Sequence, residues 1–219
     1  MNEIISNISL LIADDHAMTR KGIEIVAKYE WHIKNISSTS SIAETLNIVR
    51  DKTFTHLILD ISFGDGNSIE IIDEIKLLQP EIEILIFTMH PKQILDGFLA
   101  TKGIKWVVQK DIPEEKITEI LRVFLFEPND GNLQLNSLNK YELFHSLSYR
   151  EMQIFQLMIK GVKTNEIAIE LDVKNNTIST IKNRLLQKVG IKNEVELIDI
   201  GKILGLDKVN QLPNEENTF

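Results

Sequence analysis

Between residues 8 and 126, five short apolar runs alternate with longer amphipathic stretches, and this alternation restricts the fold more than any other feature. The runs are ISLLIA (8–13), WHIKNIS (31–37), THLILD (55–60), EILIFT (83–88) and IKWVVQ (104–109). Helical spacing of apolar residues fills the intervals near 17–29, 40–51, 67–78, 91–101 and 113–126. A strand buried on both faces reads as a continuous apolar run, and parallel strands need a crossover helix between them. Five strand-helix units therefore predict an α/β domain with a five-stranded, doubly wound parallel sheet. In such sheets ligands bind beyond the carboxyl ends of the strands.

The pattern breaks at Glu127-Pro128-Asn129-Asp130-Gly131-Asn132, turn formers that cannot continue a helix, and a linker is placed at 127–146. Beyond it the periodicity is helical, over 148–160, 164–171, 176–189 and 194–204, with Gly161, Gly190 and Gly205 suited to left-handed helix ends. Short helices joined by tight turns predict a small all-α, four-helix domain of helix-turn-helix type over 147–206, followed by a disordered tail at 207–219. A chain of 219 residues has room for both domains.

No apolar run approaches the ~20 residues that cross a bilayer, and Met1–Leu10 lacks the layout of a signal peptide, so a cytoplasmic protein without membrane contact is expected. With no Cys, disulfides, zinc ribbons and thiol catalysis are excluded together, leaving His, Asp and Glu as side-chain metal ligands. The net charge of −8 argues by itself against a nucleic-acid partner, but it is unevenly spread. Residues 1–126 carry 13 basic and 19 acidic side chains, whereas 147–206 carry 9 basic and 7 acidic. A positive second half is what phosphate neutralisation requires.

Asp14 and Asp15 follow the first run, and Asp60 ends the third. Carboxylates converging at one sheet edge repel unless a cation neutralises them, and oxygen ligands with open positions suit Mg2+. Thr88 ends the fourth run and Lys110 follows the fifth, adding a hydroxyl and an ammonium to the same rim. Acids, hydroxyl and amine together make a phosphoryl site, in which a carboxylate serves as nucleophile.

This joint pattern resembles the receiver domains of two-component response regulators, over residues 8–126, and implies their flavodoxin-like fold. The resemblance implies that Asp14, Asp15, Asp60 and the backbone carbonyl of Ser62 hold Mg2+. It further implies that Asp60 accepts a phosphoryl group from a sensor histidine kinase, while Thr88 and Lys110 contact the bound phosphate. Beyond self-phosphorylation and autodephosphorylation no enzyme activity is implied. The sequence departs from the family at Val107, where an aromatic switch residue is common; the aromatic is Trp106, which strand alternation turns to the other face. His16 and His90 are expected to be solvated loop residues, though the family's position two after the Thr, here His90, flanks the water that hydrolyses the acyl phosphate.

In the helical half, Ser148 and Glu151 form a capping box. On a helical wheel, Ile178, Ile181, Leu185 and Val189 share a narrow apolar face, while Ser179, Thr180, Asn183, Arg184 and Gln187 fan over the opposite one. Hydroxyls, amides and a guanidinium with no acid among them suit base edges and phosphates. Leu147, Arg150, Glu151, Gly161, Asn165–Ala168, Leu171, Val173, Thr177, Ile178, Lys188, Gly190 and Glu196-Leu197 resemble the LuxR-type output domain of NarL/FixJ regulators. The resemblance implies that the third helix enters the major groove of double-stranded DNA and that the fourth mediates homodimerisation. Ser179, Thr180 and Asn183 then face bases, Lys163, Thr164, Lys182, Arg184 and Lys188 serve the backbone, and Gln187 shares the outward face. Ile181 stands where His is frequent, and Arg150 and Glu151 are expected to hold the fold.

The implied function is a DNA-binding response regulator whose phosphorylation at Asp60 controls dimerisation and promoter binding. Opposite domain charges make it plausible that the unphosphorylated receiver masks the DNA helix. The competing reading is a constitutive DNA-binding regulator whose non-switching receiver serves dimerisation, a reading kept open by Val107. A phosphatase of the haloacid dehalogenase type requires a second acid two residues after the nucleophile, where this chain has Ser62.

Overall fold

The computed structural model describes residues 7–90, 92–127 and 147–204. The chain divides into two compact units, residues 1–138 and 139–219. In the first, β1 (Ser9–Ala13), β2 (Asn35–Thr39), β3 (His56–Leu59), a short hairpin of β4 (Ser62–Phe63) and β5 (Gly66–Asn67), β6 (Glu83–Thr88) and β7 (Trp106–Gln109) alternate with helices. These are α1 (Ala17–Ile25), α2 (Ile42–Asp51), α3 (Ile72–Leu78), α4 (Lys92–Thr101) and α5 (Glu114–Phe126). The main sheet has the order β2-β1-β3-β6-β7 with every pairing parallel, the doubly wound α/β arrangement expected.

Alternation across the pleat builds the core. Leu10, Ile12, Ile58, Leu85, Phe87, Trp106 and Val108 pack on one face with Ile23 and Ala27 of the first helical segment and Leu121, Phe124 and Leu125 of α5. Trp106 meets Phe124 edge to face at 5.7 Å, while its neighbour Val107, of opposite parity, is buried on the other side.

The second strand lies elsewhere than expected. The first helix runs on through a π-helical turn at Val26–Glu30, His32 takes a left-handed φ of 56°, and β2 begins only at Asn35. The apolar signal of WHIKNIS came from core plugs in the connection: Ile33 is buried, and Trp31 packs edge to face on Phe126. The strand itself is a polar edge strand, NISST, with one fully buried residue. The β4-β5 hairpin was not foreseen, because two-residue strands leave no periodicity.

The second unit holds α6 (Tyr149–Ile159), α7 (Thr164–Glu170), α8 (Asn175–Val189) and α9 (Glu194–Ile203). The Ser148–Glu151 capping box opens α6, and Gly161 and Gly190 take the left-handed conformations that their sequence positions suggested. Gly205, the tail and the linker beyond Glu127 lie outside the described residues. Gly201 lets α9 lie directly on Ile159 and Phe155 of α6, where a methyl group would collide with both.

His56 opens β3 at the end of the sheet away from the acidic residues. Its Nδ1 shares a 2.8 Å hydrogen bond with Thr55 Oγ1, its ring meets Phe124 edge to face, and its buried Nε2 has no well-aligned partner. Burial pushes its pKa from 6.5 down to about 4, only partly offset by the Phe124 backbone. The unfolded chain binds this proton first as pH falls, so the stabilisation is full above pH 6.5 and is lost progressively down to about pH 4. Urea titrations across this range should show the His56→Gln variant lacking a pH-dependent loss of about 3 kcal/mol that the wild type shows. Parallel profiles for the two proteins would refute the assignment.

Candidate phosphoryl and nucleic-acid sites

The carboxyl ends of β1, β3, β6 and β7 carry the acidic site. Parallel pairing sets Ala13 beside Leu59, and the Asp60 N–H continues the ladder by donating to the Ala13 carbonyl at 2.8 Å. Asp14 and Asp60 therefore emerge from adjacent strands at one level. Across β6, the Lys110 N–H donates to the Thr88 carbonyl at 2.8 Å, which brings the lysine to the same rim.

Lys110 Nζ lies 2.6 Å from Asp14 Oδ2 and 2.6 Å from Asp60 Oδ2, with all three side chains less than a tenth exposed. It donates a hydrogen bond to Asp60 and forms an ion pair, without a hydrogen bond, with the buried Asp14 Oδ2. Asp60 Oδ1 accepts from the Ile61 N–H at 2.7 Å. Burial raises the Asp60 pKa, and the nearby Asp14 adds to this, against the opposing pull of Lys110 and the Ile61 amide. The Asp60 backbone is pinned by Ser68, whose hydroxyl donates to its carbonyl at 2.5 Å.

Asp14, Asp15, His16 and Asp60 each offer a ligand atom within 4.8 Å of the others. A set dominated by carboxylate oxygen, with Asp14 Oδ2 held by an ion pair but by no hydrogen bond, fits a hard divalent cation such as Mg2+. Ser62, the expected carbonyl ligand, lies in β4, two residues beyond Asp60. Thr88 is fully buried, its Oγ1 accepting from the His90 N–H at 3.2 Å. Val107 pairs with Ile86 in the register that places Thr88 beside Gln109, so a valine occupies the Thr88 face of β7.

Both loop histidines also make contacts at the site. His16 is 65% exposed, yet its Nδ1 lies 3.1 Å from Asp14 Oδ1 and 2.7 Å from Asp15 Oδ1. His90 Nε2 meets Ser62 Oγ at 2.9 Å, joining the loops after β3 and β6. Arg20, unremarked in the sequence, donates to the Asp14 carbonyl at 2.5 Å. Its position one turn into α1 was the available signal, because a first-turn side chain reaches back over the strand-helix loop.

On α8, Ser179, Thr180, Asn183, Arg184, Gln187 and Lys188 are exposed, as is Lys163 before α7. The hydroxyls of Ser179 and Thr180 donate to the carbonyls four residues back. Lys182 requires a correction: only 7% of its side chain is exposed, and it takes the core place assigned on the wheel to Ile181, which is half-buried. Lys182 donates to Thr164 Oγ1 at 2.9 Å and lies 2.5 Å from Glu194 Oε2, a partner invisible to a wheel drawn for one helix. Lys188 is partly committed too, donating at 2.7 Å to Glu151, which the capping box holds. Burial pushes the Glu151 pKa up, but the Lys188 and Ser148 hydrogen bonds outweigh it and hold the carboxyl low. Arg150 donates to the Leu171 carbonyl at 2.6 Å, so Arg150 and Glu151 hold the fold as expected.

Residues 10–122 match the response regulator receiver domain, and residues 145–200 match the bacterial regulatory proteins of the luxR family. The virulence-factor transcription regulator BvgA of Bordetella pertussis is 27% identical over 204 residues, covering 88% of this chain and 96% of BvgA. The oxygen regulatory protein NreC of Staphylococcus aureus is 27% identical over 206 residues, covering 87% and 94%. Among solved structures, RcsB from Salmonella enterica serovar Typhimurium, bound to promoter rprA with the phosphomimetic BeF3-, superposes with a TM-score of 0.69. It is 23% identical, with 90% of this chain and all of that one covered. The receiver match spans just over half of the 219 residues, and the chain belongs to the two-component response regulators, as a DNA-binding transcription regulator of the NarL/FixJ type.

Proposed function

We propose that Asp60 is the phosphoacceptor and that its phosphorylation by a sensor histidine kinase governs homodimerisation and promoter binding in the cytoplasm. The reading assigns 1–126 to the receiver, 127–146 to a linker, 147–206 to the DNA-binding domain and 207–219 to a tail. The observation that carries it is the Lys110 ammonium held between Asp14 and Asp60. The Asp60 carboxylate attacks the phosphorus of a phosphohistidine, the P–N bond breaks, and the imidazole leaves with the electron pair. Lys110 and the Thr88 hydroxyl then receive the phosphoryl oxygens. Asp14, Asp15, Asp60 and the Ser62 carbonyl would hold Mg2+, which when bound neutralises charge on the transferring group.

For DNA the reading assigns Ser179, Thr180 and Asn183 to bases, and Lys163, Thr164, Arg184, Gln187 and the partly committed Lys188 to the surrounding surface. A constitutive regulator with a non-switching receiver is favoured by one observation, the valine at position 107. Driving a regulator from ~1% to ~99% active takes about 5.5 kcal/mol of preference for one state. Equal DNA affinity before and after stoichiometric phosphorylation selects the constitutive reading.

Acetyl phosphate with Mg2+ should label the wild type and leave Asp60→Asn unlabelled, and chelation of the metal should stop labelling; a labelled Asp60→Asn protein refutes the assignment. Lys110→Met removes a cation that competes for the same carboxylates, so Mg2+ affinity measured by calorimetry should rise about tenfold while labelling slows by at least about tenfold. Arg184→Ala should lower the slope of log affinity against log salt by ~0.9 for each subunit bound to duplex DNA. An unchanged slope removes Arg184 from the phosphate contacts.

A further inference from the structure

Lys182 stands on α8, the helix assigned to DNA, yet it is buried, and its two partners come from two other helices. Thr164 is the first residue of α7 and Glu194 the first of α9. An ammonium can only donate, so Thr164 Oγ1 must be the acceptor in the 2.9 Å bond between them. Among the described residues Lys182 is the only hydrogen-bond partner of that hydroxyl. With one lone pair engaged from inside, the single O–H proton is left to point elsewhere. Thr164 is half-buried, so part of its side chain is open to solvent, and it follows the exposed Lys163. A phosphate oxygen offers only acceptors, and a hydroxyl that accepts from a cation is a stronger donor in turn.

We propose that Lys182 is a positioning residue for DNA binding, acting on a backbone phosphate through the Thr164 hydroxyl that it orients and polarises. Glu194, at 2.5 Å, cancels its charge, so Lys182 itself releases no counterion from the duplex. This rests on the reading of Thr164 as a phosphate contact. It differs from the sequence expectation in mechanism: the lysine works from inside the domain, and the hydroxyl is what touches DNA.

The test is fluorescence anisotropy of the full chain on a labelled mixed-sequence duplex over a salt series, with thermal unfolding measured in parallel. Lys182→Met and Thr164→Val should each weaken binding about fivefold, and the double variant should be no weaker than either single one. The salt slope of Lys182→Met should equal that of the wild type, and Thr164→Ser should restore most of what Thr164→Val loses. Glu194→Gln, which removes the counter-charge but keeps the Lys182–Thr164 bond, should lower the melting temperature without weakening the complex. A slope reduced by ~0.9 in Lys182→Met would make the lysine a direct phosphate contact and overturn the proposal. So would additive losses, or binding that falls in step with melting temperature across Lys182→Met and Glu194→Gln. If Lys182→Met does not fold, Lys182→Leu, which likewise removes the donor, takes its place. Thr164→Val at wild-type affinity also overturns the proposal, and Arg184→Ala measured alongside shows whether the α8 reading of DNA contact fails with it.

Discussion

The receiver is organised around one electrostatic constraint: Asp14 and Asp60 are buried at the ends of adjacent parallel strands and would repel each other without a cation between them. Lys110 provides it, and its position follows from β6 and β7 continuing the same parallel register. The charge balance is incomplete by design of the residue set, because Asp15 stands alongside and Asp14 keeps an oxygen without a hydrogen bond. That excess of negative charge and unspent acceptor capacity suits a divalent cation. Burial, reinforced by Asp14, outweighs the lysine beside Asp60 and raises its pKa.

The surrounding contacts hold this arrangement while leaving its edges adjustable. Ser68 and Ala13 fix the Asp60 backbone, and Arg20 fixes that of Asp14. In the loops that face the site, His16 contacts the acidic pair of its own loop and His90 contacts Ser62. Thr88, fully covered and bonded to the His90 amide, lies at the junction of the rigid sheet and the loop after β6. With valine on its face of β7, Thr88 has no aromatic neighbour on that strand face.

The output domain shows the same economy with charge. Two of the lysines expected at phosphates are engaged within the fold, Lys188 on Glu151 and Lys182 on Thr164 and Glu194. Lys163 and Arg184 remain exposed. The local positive balance of this half therefore overstates the charge it presents.

Much was legible in the sequence for a physical reason: strands buried on both faces and helices buried on one leave characteristic periodicities. The order of strands and helices, Asp14, Asp15 and Asp60 at strand ends, the Ser148 capping box, and the outward face of α8 all came from such local patterns. What a local pattern cannot encode is a partner distant in sequence. That Trp31 and Ile33 plug the core instead of forming a strand depended on α5 and the sheet closing over them. That His90 reaches Ser62 depended on two loops meeting at the site, and that Lys182 is buried depended on Thr164 and Glu194 arriving from two other helices. The sequence determined the elements, their order and the chemistry at their ends. Only tertiary structure decided which charges are neutralised inside the protein and which are left for its ligands, because a side chain's electrostatic role is set by what folding brings beside it.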